Sequence, residues 1–169
     1  MIAVDVSLLA HAVNRGGPGH GRAAAALEGL VNGDAPWALP WPVVDDFLAF
    51  VTHPHRVARV LTARDAWGFV AEVGSSSSVR WLAPGERHGA ALAEVLELAA
   101  IAGPPPPGFA LAVILREHGV RELLTTDRAM RRFRFLDLID PIHGEAWTPA
   151  THPARRYRRL RRPASRNGG

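Results

Sequence analysis

Met1-Ile-Ala-Val-Asp-Val-Ser-Leu-Leu-Ala10 opens the chain and decides how the rest is read. Ile2, Ala3 and Val4 form a short apolar run with β-branched residues, the pattern of a strand buried on both faces. Asp5 stands at the carboxyl end of that run. In parallel α/β sheets, chemistry collects beyond the carboxyl ends of the strands. A carboxylate there is costly unless a cation, a donor or water satisfies it. Two roles are open to Asp5 at this point: N-cap of a helix starting near Ser7, or member of a site.

Working outward, strands and helices alternate. Helices are expected at Ser7–Val13 and at His20–Asn32, where Ala23, Ala26, Leu27, Leu30 and Val31 recur near a 3.6 period and Gly33 stops them. Ala35–Pro40 is an extended segment, and Val43–Val51 follows as a helix behind Pro42. Thr62-Ala-Arg-Asp65 has capping-box spacing ahead of the apolar face Ala66, Phe69, Val70 and Val73. A strand is expected at Val79–Leu82, a long helix from Glu86 to Ala102, and a proline-rich break at 104–108. Phe109–His118 is the next helix, ended by Gly119. Val120–Thr126 and Leu136–Asp140 read as the last strands. This alternation argues an α/β fold, a parallel sheet with helices on both faces.

At 169 residues the chain suits one domain with a sizeable core. There is no run of 18 apolar residues to cross a membrane, and no basic segment ahead of the first apolar run to mark a signal peptide. With no Cys, disulfide frameworks and thiolate metal sites are excluded. These features suit a cytoplasmic protein. All 20 basic side chains are Arg. Residues 1–150 carry 13 of them against 16 acids, whereas residues 151–169 carry 7 and no acid. The basic character therefore belongs to the tail, which is too polar to fold alone. The division expected is a domain over 1–145 and an Arg-rich tail over 146–169.

Asp127 follows Thr125 and Thr126 at the end of a strand, as Asp5 does at the end of the first. If those strands are neighbours, both carboxylates face one crevice. Asp46, early in its helix, is a third candidate, with Asp45 about 100° away on that helix. Two or three such oxygens, completed by water, suit Mg²⁺ or Mn²⁺. A hydrated ion of that kind can activate water against a phosphodiester. The plainer alternatives are a cap for Asp5, a solvated face for Asp45 and Asp46, and a turn for Asp127. His53-Pro-His55 lacks further ligands for a closed metal site, and the five Trp are expected to serve mainly in packing.

Several stretches together resemble the PIN-domain ribonucleases, and most closely the VapC-type toxins of toxin–antitoxin pairs. They are Met-Ile-Ala-Val-Asp5 with its Leu-Leu, Trp37-Ala-Leu-Pro-Trp-Pro42, Asp46-Phe-Leu-Ala-Phe-Val-Thr-His-Pro54, Glu117-His-Gly-Val-Arg-Glu-Leu-Leu-Thr-Thr-Asp127-Arg and Arg132-Phe. They run in the family's order from residue 1 to about 142. The resemblance implies a PIN-like three-layer fold, a Mg²⁺-dependent acidic site, endonucleolytic cleavage of RNA, a cognate antitoxin partner and a homodimer. It makes Asp5, Asp46 and Asp127 the metal-holding, catalytic acids, with Ser7 and Thr125 orienting. Asp46 replaces the family's usual Glu. Gly108 falls where a third acid normally opens a helix, and Ala129 replaces the second acid of the late pattern. Each lost carboxylate removes an anionic ligand, so an impaired nuclease is expected. The alternative is a catalytically silent module that binds an antitoxin or RNA. Arg155, Arg156, Arg158, Arg159, Arg161 and Arg162 of the tail suit salt-sensitive phosphate contact with RNA.

Overall fold

The computed structural model describes residues 1–57 and 59–149. The tail arginines Arg155, Arg156, Arg158, Arg159, Arg161 and Arg162 lie outside the described residues. The elements are β1 (Ile2–Val4), α1 (Val6–Val13), α2 (His20–Asn32), β2 (Trp37–Pro40), α3 (Trp41–Val51), α4 (Ala63–Val73) and β3 (Val79–Leu82). They continue with α5 (His88–Leu98), α6 (Phe109–Glu117), β4 (Glu122–Leu124), a 3-10 turn (Arg128–Arg132) and β5 (Asp137–Ile139).

All strand pairs are parallel, in the order β3-β2-β1-β4-β5. The first strand of the chain is therefore the centre of the sheet. Ile2 is in register with Trp37 on one side and Glu122 on the other. Ala3, Val4, Ala38, Leu39, Leu123 and Leu124 are fully buried, as strands covered on both faces require. The connections β1→β2→β3 step one way and carry α1 to α4. The connection β3→β4 steps back across the sheet and carries α5 and α6. Right-handed crossovers put these two helix sets on opposite faces, which gives three layers. The stepping direction reverses between β1 and β4, and the crevice of such sheets opens there, beyond the strands' carboxyl ends.

Several boundaries differ from the sequence-based expectation. The segment Ala35–Pro40 contains a genuine central strand, β2, buried throughout. Trp37 of that strand is in the core, with its indole N–H unpartnered among the described residues. Helix α3 starts at Trp41, because Pro42 sits in the first turn where a missing N–H costs nothing. Helix α5 stops at Leu98 instead of running to Ala102. There Ala100 adopts a left-handed φ of 47°. The Ile101 amide donates to Leu96 O at 3.0 Å and the Ala100 amide to Glu97 O at 3.1 Å, the pair of bonds of a Schellman end. An Ala in that conformation costs about 1 kcal/mol, offset by packing of Ile101 against the core. Strand β4 ends at Leu124, before both threonines.

The expectation that the tryptophans serve in packing holds for Trp37 alone among the first four. Trp41, Trp67 and Trp81 are 40%, 44% and 36% exposed. They stack on one another, Trp41 against Trp67 at 6.5 Å and against Trp81 at 5.1 Å between centroids. Gly74 leaves room for the Trp81 ring, since a Cβ there would collide with it. Among the described residues no helix is long and apolar enough to cross a membrane.

Candidate active site

Asp5 leaves β1 in extended conformation, its amide donating to Leu124 O of β4 at 3.1 Å. It occupies the N-cap position of α1, yet its side chain makes no capping bond. The carboxylate turns instead toward the end of β4. Oδ2 accepts from Thr125 Oγ1 at 2.6 Å and from Ser7 Oγ at 2.9 Å. Both hydroxyls are themselves held by amides. Ser7 Oγ accepts from the Thr126 N–H at 3.0 Å, and Thr125 Oγ1 accepts from the Asp127 N–H at 2.9 Å. A hydroxyl has one proton to give. Since each accepts from the backbone, each aims that proton at Asp5. The capping alternative for Asp5 is thereby removed, and Ser7 and Thr125 hold its carboxylate in one orientation. Asp5 is 5% exposed and Thr125 3%. Oδ1 of Asp5 takes no protein donor among the described residues and is not sealed from solvent.

Asp46 projects from the second turn of α3 and is exposed. Its carboxyl is raised above the ordinary range, first by the protein that flanks it, then by the negative charge of Asp5, then by Asp45. Asp5 thus lies near enough for its charge to be felt at Asp46. Asp45 is exposed beside them.

Asp127 does something else. Its carboxylate Oδ1 accepts the Ala129 N–H at 2.8 Å and caps the 3-10 turn, while its amide supports Thr125. Among the described residues no three His, Cys, Asp or Glu are placed to share an ion. The expected trio of carboxylates is thus not brought together as one cluster among the described residues. A three-residue spacing from strand to carboxylate lets the chain turn away, and the turn takes the charge as its cap. At the position of the missing third acid, Gly108 adopts a left-handed φ of 77° at the start of α6, and a Cβ there would collide with Met130 Sδ. Met130 is buried. Its thioether fills the space that a Cβ at position 108 would enter.

The donor set fits a divalent cation in this reduced form. Hydrated Mg²⁺ is commonly held by one or two carboxylates together with substrate phosphates, and Asp5 and Asp46 supply two. The amide–hydroxyl relay behind Asp5 was not visible in the spacing. Ser7 and Thr125 are 118 residues apart, and only strand pairing brings them to one oxygen.

No family model matches the chain. It is 32% identical over 142 residues to Ribonuclease VapC33 of Mycobacterium tuberculosis, covering 84% of this chain and 99% of the relative. It is 30% identical over 145 residues to VapC ribonuclease Mb2897 of Mycobacterium bovis, covering 86% and 98%. Among solved structures, VapBC2 from Rickettsia felis bound to a DNA fragment from its promoter superposes with a TM-score of 0.54 at 14% identity. That match covers 82% of this chain and 98% of the other.

Proposed function

The chain belongs to the VapC family of PIN-domain ribonucleases, and from that premise we propose that it is a divalent-metal-dependent endoribonuclease of reduced activity, acting as the toxin of a toxin–antitoxin pair. The observation that carries this reading is the Asp5 carboxylate at the carboxyl end of the central strand, locked by two hydroxyls, with Asp46 near enough to feel its charge. Asp5 Oδ1 and the Asp46 carboxylate would hold Mg²⁺ or Mn²⁺. When bound, that ion supplies charge stabilisation for a phosphodiester under attack and lowers the pKa of water.

The residues do the positioning. Ser7 and Thr125 spend their protons on Oδ2, which leaves Oδ1 as the ligating oxygen. Thr126 and Asp127 give their amides to those hydroxyls. The scissile phosphate would lie beyond β1, between α3 and the end of β4, a position that the usual place of the crevice in such sheets supports. Reduced activity would follow from the donor count, which the absence of a side chain at Gly108 and the Met130 thioether beside it support. Two charges retain a small divalent ion less firmly than three.

A protein antitoxin and a homodimer belong to the same reading. The neighbour from Rickettsia felis is named as a VapBC assembly, which supports the first. The test is cleavage of a labelled single-stranded RNA at rising Mn²⁺, beside Asp5→Ala. We expect slow cleavage that needs millimolar-range ion and disappears in the variant. Thermal stabilisation by Mn²⁺, lost in Asp5→Ala, is the accompanying binding readout. Cleavage that persists in Asp5→Ala, or in chelator, would refute the assignment.

A further inference from the structure

Beside Thr125, a second cleft opens at the carboxyl ends of β4 and β5. Thr125, Thr126, Arg128, Arg131, Asp140 and His143 line it. The arginines come from the 3-10 turn Arg128–Arg132. Such a turn has three residues per revolution, so residues three apart eclipse, and Arg128 and Arg131 leave the same face. Neither makes an ion pair among the described residues. The acids of the cleft are already engaged. Asp127 Oδ1 caps the turn. Asp140 Oδ1 accepts the amides of Ile142 and His143, each at 2.9 Å, and its Oδ2 pairs with His143 Nδ1 at 3.0 Å. Thr125 belongs to both places, because it lines this cleft and its hydroxyl holds Asp5.

We propose that Arg128 and Arg131 form a phosphate-binding subsite for the RNA strand, gripping a phosphate adjacent to the one at Asp5 and Asp46, with Asp127 as the residue that positions their turn. The chemistry is complementary. A single strand presents singly charged phosphates at regular intervals, and each guanidinium can donate two parallel N–H groups to one phosphate. Carboxylates and guanidiniums would thus divide the work, the first holding the ion and the second the strand, with Thr125 common to both places. This assignment rests on the endoribonuclease reading above.

The test uses the full chain in chelator, so that binding is read without cleavage. The probe is a fluorescent single-stranded RNA oligonucleotide, titrated at several salt concentrations. Each phosphate contact on a single strand contributes roughly 0.7 to the slope of log affinity against log salt. Arg128→Gln/Arg131→Gln should therefore lower that slope by roughly 1.4 and weaken binding about tenfold at low salt. Arg15→Gln/Arg121→Gln removes the same charge elsewhere and is the control. Arg128→Lys/Arg131→Lys should recover most of the slope but not the full affinity, which separates phosphate contact from damage to the turn. If the glutamine pair matches the control in affinity and slope, the subsite is overturned and the endoribonuclease reading stands. If the unaltered protein does not bind RNA in chelator, the subsite is overturned, and the Mn²⁺-dependent cleavage assay decides the endoribonuclease reading separately.

Discussion

Replacing Thr125 by Val keeps the shape of the side chain and removes the hydroxyl at the junction of β4 and the acidic pair. That hydroxyl donates to Asp5 Oδ2 at 2.6 Å and accepts the Asp127 amide at 2.9 Å. A hydrogen bond to a charged group contributes roughly 1.5–3 kcal/mol net. The Asp127 amide is only partly buried and can turn to water, so its loss adds roughly 1 kcal/mol. The expected cost is therefore roughly 2.5–4 kcal/mol, a large share of the roughly 5–15 kcal/mol that holds a domain folded. For a domain of about this size, that lowers Tm by roughly 5–15 °C. Urea denaturation of the purified chain measures it, with Thr125→Ser as the variant that retains the hydroxyl and recovers most of the loss. The cost must also depend on Asp5. In an Asp5→Asn background the acceptor is neutral, and Thr125→Val should cost roughly 1–2 kcal/mol less. A loss below roughly 0.5 kcal/mol in the native background, or strict additivity with Asp5→Asn, would refute the relay.

Three further outcomes follow from other parts of the molecule. Gly108→Asp should destabilise by roughly 1–3 kcal/mol, from the left-handed backbone and the collision with Met130, and should not strengthen Mn²⁺-dependent stabilisation; tighter Mn²⁺ binding in that variant would show that the third position is still available. The Glu117 side chain is 5% exposed and its burial alone would raise its carboxyl, but the His88 side chain, the Gly85 amide and the charges of His88 and His118 bring it below its ordinary 4.5. A carboxyl lowered in the folded state adds stability above its unfolded pKa and loses it as pH falls through the folded one. The Tm gap between the unaltered protein and Glu117→Gln should thus be full at neutral pH and close below about pH 4.5; a gap unchanged down to about pH 3 would contradict the pairing. Gly74→Ala should push the Trp81 ring off its stack on Trp41, read as a loss of tryptophan exciton coupling in circular dichroism with little change in Tm, since that ring is already partly in solvent.

The central strand and most helices could be read from the sequence because their signals are local. Ile2–Val4 is a β-branched run, and Gly33 and Gly119 stand where helices end. What escaped depended on contacts made far along the chain or on a backbone choice that composition does not reveal. Helix α5 ends at Ala100, a residue that favours helix, because Ile101 reaches the core when the chain turns there. Asp127 could be placed beside a strand end, but whether its carboxylate faces Asp5 or its own turn depends on two residues of backbone beyond Leu124. A helical turn from Arg128 to Phe133 is legible from the sequence and puts Arg128 and Arg131 on one face, but that this face borders the cleft at Thr125 depends on how β4 and β5 meet. The exposure of Trp41, Trp67 and Trp81 follows from where α3, α4 and the edge strand β3 meet, which no window of sequence contains.

The bond from Thr125 to Asp5 spans 120 residues. A ribosome making this chain releases Asp5 first and Thr125 almost last among the folded elements. Until then β1 has no β4 to lie against, and the carboxylate has neither its second hydroxyl nor the amides behind it. The same contact that shapes the site thus times its assembly. Closing so long a loop is an entropic cost met only when the sheet forms as a whole. A truncated or nascent product ending before residue 125 carries Asp5 and Asp46 without the hydroxyl and amides that orient the first of them, so the site comes together only when most of the domain has been made.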